Sequence, residues 1–288
     1  LGVVGESGCG KSTLACAIPR LLSAPGTIAG GSIELGGEDV LAASPAALRR
    51  LRGGRVGMVF QDAAAALDPA FTVGSQLRET LRLYGFSRAQ ARTRAAELLA
   101  LAGVDAPERR LRQYPHELSG GQKQRVMIAL ALCGEPELLI ADEPTSALDV
   151  SVQAQILRLL ADLRRRLNMA VLLITHDLGV AAQLCDDILV LYAGRICERG
   201  DVKAVFRSPR HEYTRALLAC APSLEGEKTR ARPIPGAPPD LIRPLAGCAF
   251  APRCPRAADA CRARRPEEVC VGPGHFAACH CAKDGEGA

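Results

Sequence analysis

The sequence predicts an α/β fold in which helices flank a mostly parallel sheet. Three observations carry this prediction. A glycine-rich turn ending in Lys11 lies between a short apolar strand and a helix, a second apolar strand at 137–142 ends in two acids, and a third at 170–175 follows after one amphipathic helix. Strand, helix, strand with polar residues gathered at the strand ends is the βαβ arrangement, and such sheets place ligands at the C-terminal ends of their strands.

Length and composition narrow the classes. With 288 residues the chain has room for about two domains. Its 48% hydrophobic and 23% charged residues are ordinary for a globular protein. The longest apolar runs, such as 170–174, are strand-sized, far short of the roughly 20 residues that span a bilayer. No charged-then-apolar leader is visible, and the chain opens Leu-Gly-Val-Val without an initiator Met. Net charge is +5, and only five of the 36 basic residues are Lys. Arg clusters at 49–55, 88–94, 109–112 and 164–166 read as solvated helix faces, because 31 acidic residues nearly balance them and Tyr 4 and Phe 6 leave few rings for base stacking. No nucleic-acid partner is expected.

The elements follow in order. Val3-Val4 ends a buried strand, and Gly5-x4-Gly10-Lys11-Ser12 fits the phosphate-loop pattern G-x-x-x-x-G-K-[ST], with a helix expected over 12–22. Glycines let backbone N–H groups point at phosphates, and the helix N-terminus adds a favourable dipole. Gly5, Ser7, Gly8, Gly10, Lys11, Ser12 and Thr13 are therefore the candidate nucleotide cradle. Lys11 is placed to reach the β- and γ-phosphates and Ser12 to bind Mg²⁺. A strand at 55–60 leads to Gln61, and 71–115 reads as mostly helical with Leu77, Leu81, Leu98 and Leu99 as its apolar anchors. Leu118-Ser-Gly-Gly-Gln122 precedes a long apolar helix to Cys133. Ser119, Gly120, Gly121 and Gln122 form a second anion cradle of hydroxyl, glycine amides and helix start.

The strand 137–142 delivers Asp142 and Glu143, followed by Pro144. Asp142 suits Mg²⁺, leaving Glu143 to orient or deprotonate an attacking water. Val152, Ile156, Leu159, Leu160, Leu163 and Leu167 recur at helical spacing over 151–167. His176, at the end of the strand 170–175, is a candidate γ-phosphate contact.

With these residues in hand, the chain resembles the ATP-binding subunits of ABC transporters. Gly5 to Ser12, Gln61, Leu118 to Gln122, Asp142-Glu143, Ser146-Ala-Leu-Asp149 and His176 stand where that family has its P-loop, Q-loop, LSGGQ signature, acidic strand end, D-loop and switch histidine. The resemblance implies a P-loop NTPase fold with ATP and Mg²⁺, the latter held by Ser12, Gln61 and Asp142. It implies Glu143, His176 and Gln61 as the catalytic set, and a sandwich dimer in which Ser119 to Gln122 and Asp149 serve the nucleotide of the opposite subunit. It also implies an aromatic residue and a strand upstream of Leu1, so the chain reads as N-terminally truncated.

Two further stretches resemble the dipeptide, oligopeptide and nickel importer subfamily. One is Gln61-Asp-Ala-Ala-Ala-Ala-Leu-Asp-Pro69, in which three Ala replace more polar or bulky positions; the other is the tail. There His211-Glu-Tyr-Thr-Arg-Ala-Leu217, Gly247-Cys-Ala-Phe-Ala-Pro-Arg-Cys-Pro255, Cys261, Val271-Gly-Pro-Gly-His275 and Ala278-Cys-His280 match its extension. Of twelve Cys, six lie in the last 41 residues. A reducing cytosol disfavours disulfides, and both zinc and iron–sulfur accept four thiolates. The resemblance implies a [4Fe–4S] cluster on Cys248, Cys254, Cys261 and Cys279, with Zn²⁺ as the alternative. Cys270 and Cys281 look replaceable, and for His275 and His280 a supporting or structural role is expected, with spare metal ligands as the alternative.

The expected organisation is an ATP-binding domain over 1–220 with a helical subdomain at about 71–133, a Pro-rich linker at 221–247 and a Cys-rich extension at 248–288. The expected function is the motor of a bacterial importer for peptides, or nickel and related solutes, at the cytoplasmic face of the cell membrane. Its expected partners are a homologous, non-identical second ATP-binding subunit, two transmembrane permease subunits and, indirectly, an extracytoplasmic solute-binding protein. A DNA-repair or translation ATPase of the same superfamily is the alternative. The former should carry a zinc insertion or long coiled coil in its core, and the latter two motor domains, whereas only one P-loop is present.

Overall fold

The computed structural model describes residues 1–146, 148–220, 233–242 and 245–282. The expected linker falls partly outside them, at 221–232, 243 and 244, as do Ala147 of the D-loop stretch and 283–288 of the tail. The chain packs as two compact units, Ser12–Ile174 on the one hand and Leu1–Lys11 with Thr175–Ala288 on the other.

In the first unit the strand Leu138–Asp142 lies between Val56–Val59 and Ala170–Thr175, and all pairings are parallel. Leu139, Ile140 and Ala141 are fully buried, as a strand covered on both faces requires. The helix Val150–Leu167 makes the crossover to the third strand, with Ile156, Leu160 and Leu163 buried at helical spacing. The helical segment consists of Val73–Leu83, Arg88–Leu101 and the short Pro107–Arg110. Thr72 and Ser87 cap the two long helices, the latter in a capping box with Gln90. Leu77, Leu81, Leu98 and Leu99 are fully buried, as their spacing predicts.

The helix expected over 12–22 is shorter, spanning Lys11–Ala17. Pro19 lacks a donor and disfavours helical backbone at Ile18, and Arg20 then turns the chain at a φ of 56°.

In the second unit Gly2–Val4 runs parallel to Asp187–Tyr192, which pairs antiparallel with Arg195–Asp201. The Cys-rich tail adds a hairpin, Val269–Gly272 and His275–Ala277, whose second strand pairs with Arg195–Asp201. Tail and strands share one core: Val4, Ile188, Val190, Tyr192, Tyr213 and Phe250 are buried together. Tyr192, Tyr213 and Phe250 form an aromatic triangle with ring centroids 4.4 to 5.3 Å apart. Glu198 is fully buried and satisfied, accepting from the N–H groups of Arg210 (2.7 Å) and His211 (2.9 Å) and from Nε2 of His275 (2.7 Å). His275 is thus structural.

Candidate nucleotide site and cysteine lobe

The P-loop follows Gly2–Val4 directly. Gly8 and Gly10 take φ values of 79° and 103°, which side-chain-bearing residues rarely adopt, and these turns wrap the loop around Lys11. Lys11 is buried, and its Nζ donates to the carbonyls of Gly5 (2.7 Å) and Glu6 (3.0 Å). Gly194 N–H donates to Cys9 O at 2.8 Å, tying the far side of the loop to the hairpin after Tyr192. Burial pushes the Cys9 thiol up, with Lys11 opposing the shift. Ser12 and Thr13, in the first turn of Lys11–Ala17, are exposed.

At the end of Leu138–Asp142 the Asp142 carboxylate is buried, and after desolvation its charge is the second cause that raises the Cys16 thiol. The acid therefore lies within electrostatic reach of Cys16, on the helix Lys11–Ala17. Hydroxyl, amide oxygen and carboxylate from Ser12, Gln61 and Asp142 are hard oxygen donors and suit Mg²⁺. Glu143 sits in left-handed backbone at a φ of 46°, uncommon for a residue with a side chain, and its N–H donates to Ile174 O at 2.9 Å. Gln61 Nε2 donates to Glu143 Oε2 at 3.2 Å. Ser146 Oγ bridges behind them, with Glu143 O at 2.9 Å and Gln61 O at 3.3 Å. Gln61 and Glu143 are thus brought together, 82 residues apart in the chain. His176 is exposed directly after Ala170–Thr175, and Asp177 caps the helix Leu178–Leu184.

The signature residues start the helix Gly120–Ala131. Ser119 Oγ accepts from Gln122 N–H and Gln122 Oε1 from Ser119 N–H, a capping box that fixes the turn. The amides of Gly120 and Gly121 belong to the first helical turn, which has no intrahelical acceptor for them. A Cβ on Gly121 would stand 2.7 Å from Cγ1 of Val152, so glycine lets the signature turn approach the helix that Asp149 caps.

Cys248, Cys254, Cys261 and Cys279 line one small cavity of about 20 Å³, together with Cys281 and His280. Cys248 N–H donates to Cys261 O at 2.8 Å, closing the loop between them. Burial raises the Cys248 and Cys254 thiols against the opposing pull of backbone N–H groups, Glu212 adds to the rise at Cys254, and burial takes the Cys279 thiol to about 11. Among the described residues, no group of three or more His, Cys, Asp or Glu stands in metal-holding geometry. Cys281, expected to be replaceable, lines the cavity beside Cys279, whereas Cys270 is exposed. His280 Nε2 lies 3.0 Å from Arg264 O.

The ABC transporter family matches residues 1–146. The chain belongs to the ATP-binding subunits of the ABC transporters. The C-terminal region of the oligopeptide/dipeptide transporters matches residues 197–261, which places it in that branch of the family. It is 50% identical over 282 residues to the "Probable peptide ABC transporter ATP-binding protein y4tR" of Sinorhizobium fredii, covering 97% of this chain and 84% of that one. It is 44% identical over 288 residues to the dipeptide transport ATP-binding protein DppD of Escherichia coli, covering 100% of this chain and 88% of the other. Among solved structures, the dimeric ATP-binding cassette MJ0796 bound to ADP and Pi is similar with a TM-score of 0.61 and 31% identity, over 70% of this chain and 84% of that one. This ABC ATPase hydrolyses ATP. Among its described residues no helix is long and apolar enough to cross a membrane.

Proposed function

We propose that the chain is the motor subunit of a peptide importer and that Gln61 and Glu143 form the hydrolytic end of its nucleotide site. The hydrogen bond from Gln61 to Glu143 is the observation that carries the reading. It aims a carboxylate at the C-terminal edge of the sheet, where an attacking water is deprotonated. Lys11 and the loop of Gly5, Ser7, Gly8, Gly10, Ser12 and Thr13 hold the phosphates. Ser12, Gln61 and Asp142 would hold Mg²⁺, which would supply charge neutralisation at the phosphates. His176 contacts the γ-phosphate, and Ser119, Gly120, Gly121, Gln122 and Asp149 complete the site of a second, homologous ATP-binding subunit.

Motion reaches the solute through two permease subunits at the cytoplasmic face of the membrane, supplied by an extracytoplasmic solute-binding protein. The helical segment offers them a groove of about 1020 Å³ lined by Arg78, Arg82, Arg88, Arg92 and Arg112 among others. The names of the relatives favour peptides over nickel as cargo. In the tail, Cys248, Cys254, Cys261 and Cys279 would hold a [4Fe–4S] cluster, or Zn²⁺, their convergence on one cavity being the support. Reconstitution of the assembled transporter in liposomes tests the function. ATP-dependent uptake of di- and oligopeptides, abolished by Glu143→Gln, is expected; uptake of nickel alone, or none, overturns the peptide reading.

A further inference from the structure

Glu6 lies inside a loop read here as binding phosphates, where a bare carboxylate repels the ligand. Its partners come from the C-terminal part of the chain. Glu6 N–H donates to Tyr213 Oη at 2.7 Å, and the carboxylate receives Nη1 of Arg253 at 2.7 Å and Nη2 at 3.0 Å. The arginine is itself held on every side. Its Nε donates to Pro235 O at 2.8 Å, Nη1 also reaches Tyr192 Oη at 3.1 Å, and Nη2 reaches Ile234 O at 3.3 Å. Its side chain is 4% exposed. A guanidinium buried this deeply needs a carboxylate and several acceptors, and its planar fork meets both carboxylate oxygens at once.

We propose that Arg253 is a positioning residue of the nucleotide site: it neutralises Glu6 and fixes the front of the P-loop, so that the loop presents its amides and Lys11 to phosphate. The consequence is a direct link between tail and motor, since Arg253 immediately precedes Cys254. The loop 248–254 that lines the cysteine cavity thereby sets ATP affinity. The inference rests on the ATP-site reading of Gly5 to Thr13.

The test is steady-state ATP turnover of the assembled transporter with full-length variants. Arg253→Ala should raise KM for ATP about tenfold with kcat within about twofold, the pattern of lost uniform binding by a charge-assisted contact. Adding Glu6→Gln should restore most of the affinity, because the repelling charge is then gone. A role confined to holding the tail predicts no such rescue, so a double variant as weak as the single overturns the proposal, and so does an unchanged KM in Arg253→Ala. Where Arg253→Ala fails to fold, Arg253→Lys decides: it keeps the charge but loses the fork, and a KM rise of about threefold supports the proposal while none overturns it. A wild-type protein that neither binds nor turns over ATP removes the ATP-site reading and this inference together, whereas normal wild-type turnover with insensitive variants removes only the inference.

Discussion

Gln61 donates its side-chain amide to the carboxylate of Glu143 across 3.2 Å, joining the turn after Val56–Val59 to the turn after Leu138–Asp142. The two strands are parallel neighbours, so their C-terminal ends deliver amide and acid to the same edge. Glu143→Gln keeps the shape of this contact and removes the base. ATP binding should remain near wild type while turnover falls by about 10²-fold or more, leaving a nucleotide-loaded closed dimer. Near-normal turnover by this variant in the assembled transporter removes Glu143 as the base.

Lys11 is the only Lys of the first 122 residues, and its Nζ already sits on the carbonyls of Gly5 and Glu6. Lys11→Ala should weaken ATP binding by about 2 kcal/mol, as loss of a charge-assisted contact does, with little change in Tm. Calorimetric binding of ATP alongside a melting curve checks both halves of the statement. Unchanged affinity removes the phosphate role of Lys11.

The three strands of Ser12–Ile174 and the helix between the last two were legible because their signals are local: apolar runs of strand length, then an apolar stripe at helical spacing. The P-loop and signature glycines were legible for the same reason. Pairs closed by the fold were not. Gln61 and Glu143 are 82 residues apart and Glu6 and Arg253 are 247 apart, and neither charge nor spacing in one sequence indicates such partners. Within the tail, six Cys could be counted, but that Cys281 joins Cys279 at the cavity while Cys270 is exposed cannot be read from their spacing. Pro19 was a visible stop for the first helix, and it ended that helix before the predicted boundary.

Glu198 is fully buried with three donors on it, and His275 from the tail hairpin is one of them. Glu198→Ala leaves two backbone N–H groups and an imidazole without their acceptor, and should destabilise the protein by about 3–5 kcal/mol. Glu268→Ala, which breaks an exposed pair with Arg199, should have a much smaller effect. Paired denaturant melts distinguish them, and similar losses would contradict the importance given to burial.

His211 is buried beside Phe250 and holds the N–H of Tyr213 on its Nδ1 at 3.0 Å; burial lowers its pKa from 6.5 to about 4. In the unfolded chain the ring takes a proton more readily, so acid favours unfolding. The stability that neutral His211 preserves is complete above about 6.5, falls as pH drops, and is lost by about pH 4, a span worth roughly 3 kcal/mol. His211→Asn retains an acceptor for Tyr213 N–H without the titration. Its stability should fall less steeply than wild type between those pH values, and parallel curves for the two proteins would rule the histidine out.

The last prediction concerns the tail. Cys248, Cys254, Cys261 and Cys279 converge with Cys281 on one cavity, in a part of the chain whose hairpin is anchored to Arg195–Asp201. Small loop-built lobes with few apolar residues gain most from a covalent or metal staple, and cysteines at this density suit a soft metal group. Anaerobically purified protein should carry iron and sulfide at four of each per chain for a [4Fe–4S] cluster, or one zinc for the alternative. Cys254→Ser with Cys261→Ser should lose the metal, and Cys279→Ser should lose it as well. Cys270→Ser, on the exposed face of the hairpin, should retain it. Cys281→Ser should retain it too, because the assignment makes Cys279 the fourth ligand; loss in Cys281→Ser with retention in Cys279→Ser moves that ligand two residues along. A tail free of both iron and zinc, or one that keeps its metal after the Cys254 and Cys261 substitutions together, ends the four-cysteine assignment.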